Sequence, residues 1–200
     1  MKTQRTLNEI LQGNFFDRGS KFYAFINPVT SLEEYKLLIK KYKQNNANAC
    51  HVCSAYRIYL NGWVDEYATD DGEPGGSAGL PILNTLKKNK LVNVGAYVVR
   101  VYGGVNLGIP GLISAYSTCV DNAIDDSSLI DWHPMEKIVI EYNYNLEKIV
   151  NHVIKSMDVE IIKQKFEKII FLEVGVRKNK KDIFLDLLNE KTSGRVVILK

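Results

Sequence analysis

The sequence predicts an α+β fold in two domains, residues 1–131 and 135–200, and three observations carry that prediction. Helical and strand periods of hydrophobic residues interleave along the whole chain. From Lys137 onward the segments read strand, helix, strand, strand, helix, strand, the split βαβ order of ferredoxin-like domains. Between the halves, Trp132-His133-Pro134 reads as a linker. Composition agrees: 200 residues, 46% hydrophobic and 24% charged, suit a globular chain able to bury a sizeable core. No apolar run reaches the roughly 18 residues of a membrane helix. The N-terminal segment has no apolar stretch of the kind a secretory signal needs. Three cysteines cannot all pair with one another, so reduced thiols and a cytoplasmic location are expected.

The elements follow in order. Asn14 to Val29 alternates as two short strands or one bent strand, broken at Gly19. Ser31 opens a helix with Glu33 and Glu34 in its first turn and lysines crowding the later ones, which suits the helix dipole. Leu32, Tyr35, Leu38, Ile39 and Tyr42 form its apolar face. Cys50 to Leu60 is rich in strand formers, and Asn61-Gly62 turns it into a partner strand at Trp63-Val64. After a glycine-rich acidic loop at 69–79, Pro81 sits in the first turn of a helix ending near Lys90. Val92 to Tyr102 is nearly all apolar, a strand buried on both faces, and Gly103-Gly104 stops it. A helix beginning near Pro110 buries Leu112, Ala115, Tyr116, Cys119 and Ala123. The second domain then runs KIVIEY, LEKIVNHVIKSM, VEIIKQKF, KIIFLEVGV, DIFLDLLNEKT and VVILK; Phe166, Phe171 and Phe184 fall in apolar stretches and are expected inside.

Charge is uneven. Residues 1–134 hold thirteen basic and thirteen acidic side chains, so the net +3 sits entirely in the last third. That excess is too small to announce a nucleic-acid binder, and it allows a mildly basic surface.

Three segments carry possible chemistry. Cys50-His51-x-Cys53 lacks a second ligand pair, because Cys119, His133 and His152 do not form one; no metal is expected. A redox pair would open a helix, and this one opens a strand. For nucleophilic catalysis His51 and Cys53 are the better pair, since they share a strand face while Cys50 points away. The loop TDDGEPGGSAG places four glycines beside Asp70, Asp71 and Glu73. Those acids can hold a divalent cation or act as acid and base, Asp71-Gly72 can be a simple tight turn, and the N–H groups around Gly75 to Gly79 can form an anion nest at a helix start. Neither a Walker A motif nor GxGxxG occurs. Arg100 lies in the buried strand and must be paired or bind an anion, with Asp70, Asp71 or Glu73 as partner. Arg177, Lys178, Lys180 and Lys181 form a basic run, read either as a solvated hairpin or helix start or as a phosphate-backbone contact.

Four separated motifs together resemble the IMPACT/YigZ family. They are RGSKF at 18–22, His51-x-Cys53-x-Ala55-Tyr56, DDGEP at 70–74 with Ala78-Gly79-x-Pro81-Ile82-Leu83, and Arg100-x-x-Gly103-Gly104-x-x-Leu107-Gly108. The resemblance covers residues 14–125 closely and implies a first domain similar to domain IV of elongation factor G and a second similar to its ferredoxin-like domain V. It also implies a role near translation, where eukaryotic members bind a ribosome-associated activator of an initiation-factor kinase. Where the family often reads GGIKLGTGGLVRAY this chain reads GGVNLGIPGLISAY, so Asn106 and Ser114 replace a frequent lysine and arginine, and an anion site here is expected to be weaker.

The favoured function is non-enzymatic, without cofactor: binding RNA, the ribosome or a translation-associated protein. The binding residues are His51, Asp70, Asp71, Gly72, Glu73, Gly79, Arg100, Gly103, Gly104 and Gly108, with the basic run as a second group. The alternative is an enzyme or small-anion binder at the DDGEP/Arg100 site. An inert turn and ion pair favours the first reading; a concave pocket holding His51, Asp71, Glu73 and Arg100 favours the second.

Overall fold

The computed structural model describes residues 3–46 and 49–199, and the chain divides into two compact units, Met1–Trp132 and His133–Lys200. The first contains β1 (Gln4–Thr6), β2 (Leu11–Asp17), β3 (Ser20–Pro28), α1 (Leu32–Asn45), β4 (His51–Leu60), β5 (Trp63–Thr69), α2 (Gly79–Lys88), β6 (Val94–Val101), α3 (Gly108–Ala123) and β7 (Ile130–Trp132). Five strands form one antiparallel sheet in the order β2-β3-β6-β4-β5. Asn61 and Gly62 join β4 to β5 with φ of 50° and 101°, the left-handed pair a tight hairpin turn requires.

β6 is the central strand, buried from Val94 to Arg100, because both sheet faces are covered. On one face α2 and α3 bring Ile82, Leu86, Leu112, Tyr116 and Val120 onto Phe22, Ala24, Ala55, Ala96 and Val98. On the other, α1 lays Tyr35, Leu38, Ile39 and Tyr42 over Tyr56, Ile58 and Tyr97. Ser31 caps α1, its hydroxyl accepting from the Glu34 N–H at 3.2 Å.

The second unit contains β8 (Met135–Tyr142), α4 (Glu147–Ser156), β9 (Glu160–Phe166), β10 (Ile170–Arg177), α5 (Lys181–Thr192) and β11 (Val197–Leu199). Its antiparallel sheet runs β11-β8-β10-β9. Ile140, Leu172, Val174, Val150, Val153, Phe184 and Leu188 make its core. Lys200, the last residue of the expected VVILK strand, lies outside the described residues.

Two expectations are corrected. Trp132 is not linker: it ends β7, which pairs antiparallel with β1, and its ring lies 4.9 Å from that of Tyr59. Phe166 is not inside but 59% exposed, because β9 is an edge strand whose residues are almost all uncovered.

Candidate functional site

The site forms where three neighbouring strands end together. His51 and Phe22 stand opposite Arg100 in the registers of β4 and β3 with β6, so all three side chains leave the same face of the sheet. The loop 69–79 and the start of α3 close over them.

Within the loop each acid has its own task. The Glu73 N–H donates to the Asp70 carbonyl at 2.9 Å, and Asp71 and Gly72 between them have φ of 47° and 92°, a tight turn. The Asp70 carboxylate accepts from the N–H groups of Gly76 (2.8 Å), Ala78 (3.0 Å) and Gly79 (2.8 Å). The anion nest therefore exists, and the chain's own carboxylate fills it at the start of α2. Burial pushes the Asp70 carboxyl up, and the three N–H donors outweigh it, holding the group below its ordinary value. Gly79 has to be glycine, since a Cβ there would lie 2.7 Å from the Thr69 backbone nitrogen.

Asp71 turns toward α1. One carboxylate oxygen accepts from the Val52 N–H at 2.8 Å and the other pairs with Lys43. The Asp71 carbonyl lies 2.8 Å from His51 Nδ1. A carbonyl only accepts, so Nδ1 donates this hydrogen bond and carries a proton. Gly72 lies against the same ring, where an added Cβ would sit 3.4 Å away.

Glu73 points inward. Its Oε1 accepts from Arg100 Nη1 at 2.6 Å and from the Tyr116 hydroxyl at 2.8 Å, with the Glu73 and Arg100 side chains 3% and 7% exposed. The Arg100 guanidinium is flanked by the Phe22 and Tyr102 rings at 5.5 and 5.4 Å. Arg100 Nε is buried without a hydrogen-bond partner among the described residues.

Cys53 Sγ lies 2.9 Å from the Asp70 carbonyl and 3.2 Å from the Tyr116 hydroxyl. Burial pushes this thiol up to about 12, against the lowering contact with Tyr116. It shares a strand face with His51, and its sulfur is engaged by the Asp70 carbonyl and the Tyr116 hydroxyl.

The glycines after β6 have separate roles. Gly103 passes so close to the β2–β3 turn that a Cβ would meet the Gly19 carbonyl carbon at 1.9 Å, and its N–H donates to Ser20 Oγ at 3.2 Å. Gly104 follows in open space, and Gly108 is the first residue of α3. A cavity of ≈ 570 Å³ opens beside them, lined by His51, Glu73, Arg100, Tyr102, Ile109 and Leu112 among others. It holds three of the four residues named for an enzymatic or anion site and leaves out Asp71, which faces Lys43.

The basic run belongs to the other unit. Lys178 to Lys180 form a single helical turn before α5. Lys181 Nζ pairs with Glu136 at 2.7 Å and Arg177 reaches Asp158 at 3.5 Å, while Lys178 and Lys180 make no ion pair among the described residues.

Sequence reasoning missed Tyr116, Phe22, Tyr102 and Lys43 as parts of the first site. Tyr116 carried a usable signal: a phenol on a buried helical stripe needs a polar partner.

The profile of the Impact N-terminal domain matches residues 18–124. An IMPACT family member of Haemophilus influenzae is 33% identical over 184 residues, 90% of this chain and 88% of that protein. IMPACT family member YvyE of Bacillus subtilis is 33% identical over 192 residues, 95% and 87% of the two chains. The crystal structure of a hypothetical protein superposes with a TM-score of 0.70 at 24% identity, covering 100% of this chain and 97% of that one. The matched span contains the DDGEP loop, Arg100 and the glycines that follow it, and the relatives align along nearly their full length: the chain belongs to the IMPACT family.

Proposed function

We propose that this protein is a non-enzymatic, cytoplasmic, translation-associated regulator that binds RNA, the ribosome or a translation-associated protein. One observation carries the reading. Every acid of the DDGEP loop is engaged within the protein, Asp70 by three N–H groups, Asp71 by Val52 and Lys43, and Glu73 by Arg100 and Tyr116. Groups so engaged shape a surface rather than turn over a substrate. The β11-β8-β10-β9 sheet with both helices in its connections supports a ferredoxin-like second domain, and the first domain is taken as similar to domain IV of elongation factor G.

Contact with nucleic acid is assigned to the basic run. Lys178 and Lys180 precede α5 and Lys181 opens it, where the exposed N–H groups of the first turn add positive potential. The test is to isolate the full chain from cells and identify what accompanies it. Ribosomal RNA, a ribosomal protein or a translation factor, recovered in fixed ratio and lost from an Arg177, Lys178, Lys180, Lys181 alanine variant, is the expected result. Turnover of a small substrate by the purified chain, abolished in a His51→Ala variant, would replace this reading with the enzymatic one.

A further inference from the structure

The Arg100 guanidinium is only half used. Its Nη1 donates to Glu73, its faces are flanked by Phe22 and Tyr102, and the opposite edge, Nε and Nη2, makes no hydrogen bond among the described residues, with Nε buried. A buried donor left unmatched costs stability, and more so when it is charged. The side chain is 7% exposed, and it lines the ≈ 570 Å³ cavity.

The start of α3 lines the same cavity. Leu107 caps the helix without a side-chain hydrogen bond, and Pro110 has no N–H, so Gly108 and Ile109 supply the N–H groups left free in the first turn. His51, its Nδ1 held by the Asp71 carbonyl, stands on another wall. Leu107, Ile109 and Leu112 add an apolar wall, and Asn106 lines the cavity beside them. The fork of Nε–H and Nη2–H matches two oxygens of one planar or tetrahedral oxyanion, a match that lysine does not offer.

We propose that this cavity binds a small molecule bearing a carboxylate or phosphate, whose oxyanion takes the free edge of Arg100 and the first turn of α3 while its apolar body rests on Leu107, Ile109 and Leu112. Glu73 neutralises much of the Arg100 charge, so the site selects by geometry and the helix dipole rather than by net charge. The ligand is held and not transformed in this scheme.

The experiment is amide and guanidinium ¹⁵N NMR of the full chain, titrated separately with inorganic phosphate and with acetate. Saturable shifts at Arg100 Nε–H, Gly108 and Ile109, with Kd on the order of millimolar for either bare ion, are expected. Saturation by phosphate alone assigns a phosphate ester, by acetate alone a carboxylate; saturation by both supports the shared oxyanion site. Arg100→Lys keeps a cation for Glu73 and removes the fork, and is expected to weaken binding at least about tenfold. Ile109→Asp, at an exposed position on the rim, keeps the fold and places a like charge at the mouth, with a comparable loss expected. No saturable shift at these three groups up to about 50 mM of either ion, or affinity unchanged in the folded Ile109→Asp variant, would overturn the proposal.

Discussion

Asp70 replaces, with one carboxylate, the partners that three N–H groups at the start of α2 would otherwise need. Asp70→Ala is expected to destabilise the protein by about 2–4 kcal/mol, read by urea denaturation. Because the folded carboxyl is held below its ordinary value, its contribution is complete above about pH 4, the unfolded range, and is lost as pH falls through the folded value. The variant should therefore show a flatter acid limb than the parent. Arg100→Ala leaves the Glu73 carboxylate buried, for an expected loss of about 3–5 kcal/mol; the double variant with Glu73→Leu should recover part of it, as measured by a double-mutant cycle. That Arg100 needs an acid was legible from a lone charge in VNVGAYVVRVY. Which acid it takes was not, because three carboxylates within four positions differ only in how the turn at Asp71-Gly72 aims them.

At the scale of elements, the long periodic segments were readable and the short ones were not. Ser31 with Glu33 and Glu34 marks the start of α1, and the stripe from Leu112 to Ala123 marks α3, because each repeats an apolar face over several turns. β1 and β7 have three residues each and carry no period; only their pairing makes them strands. The exposure of Phe166 escaped for a related reason, since local pattern does not say which strand will lie at an edge. The start of α5 gives the prediction at this scale. Each neutralised phosphate of a single strand contributes about −0.7 to the slope of log K against log salt. Lys178 and Lys180, which make no ion pair among the described residues, should therefore account for about −1.4, and all four basic residues for no more than about −3. Fluorescence titration of an RNA oligonucleotide across a salt series, on the parent and the Lys178→Ala/Lys180→Ala variant, checks the difference.

Across the whole molecule, the apolar clusters separate by unit: two belong to residues before Trp132 and one to residues after His133. A core of its own, with Ile140, Leu172, Val174 and Phe184 fully buried, is what independent folding requires. Residues 133–200 expressed alone should show one cooperative urea transition with a stability of about 3–5 kcal/mol, checked by circular dichroism. An uncooperative, sloping melt would show that the smaller unit depends on the larger one.

The β1–β7 pair also determines how the first unit would respond to tension. Gln4 lies opposite Trp132, so the chain enters and leaves this unit through two adjacent, antiparallel strands. A pull between those points meets the ladder at its open end and breaks its hydrogen bonds one after another rather than shearing them together. The short pair then yields first, at low force. The five-stranded sheet carries load only after the slack of β1 and β7 has been drawn out.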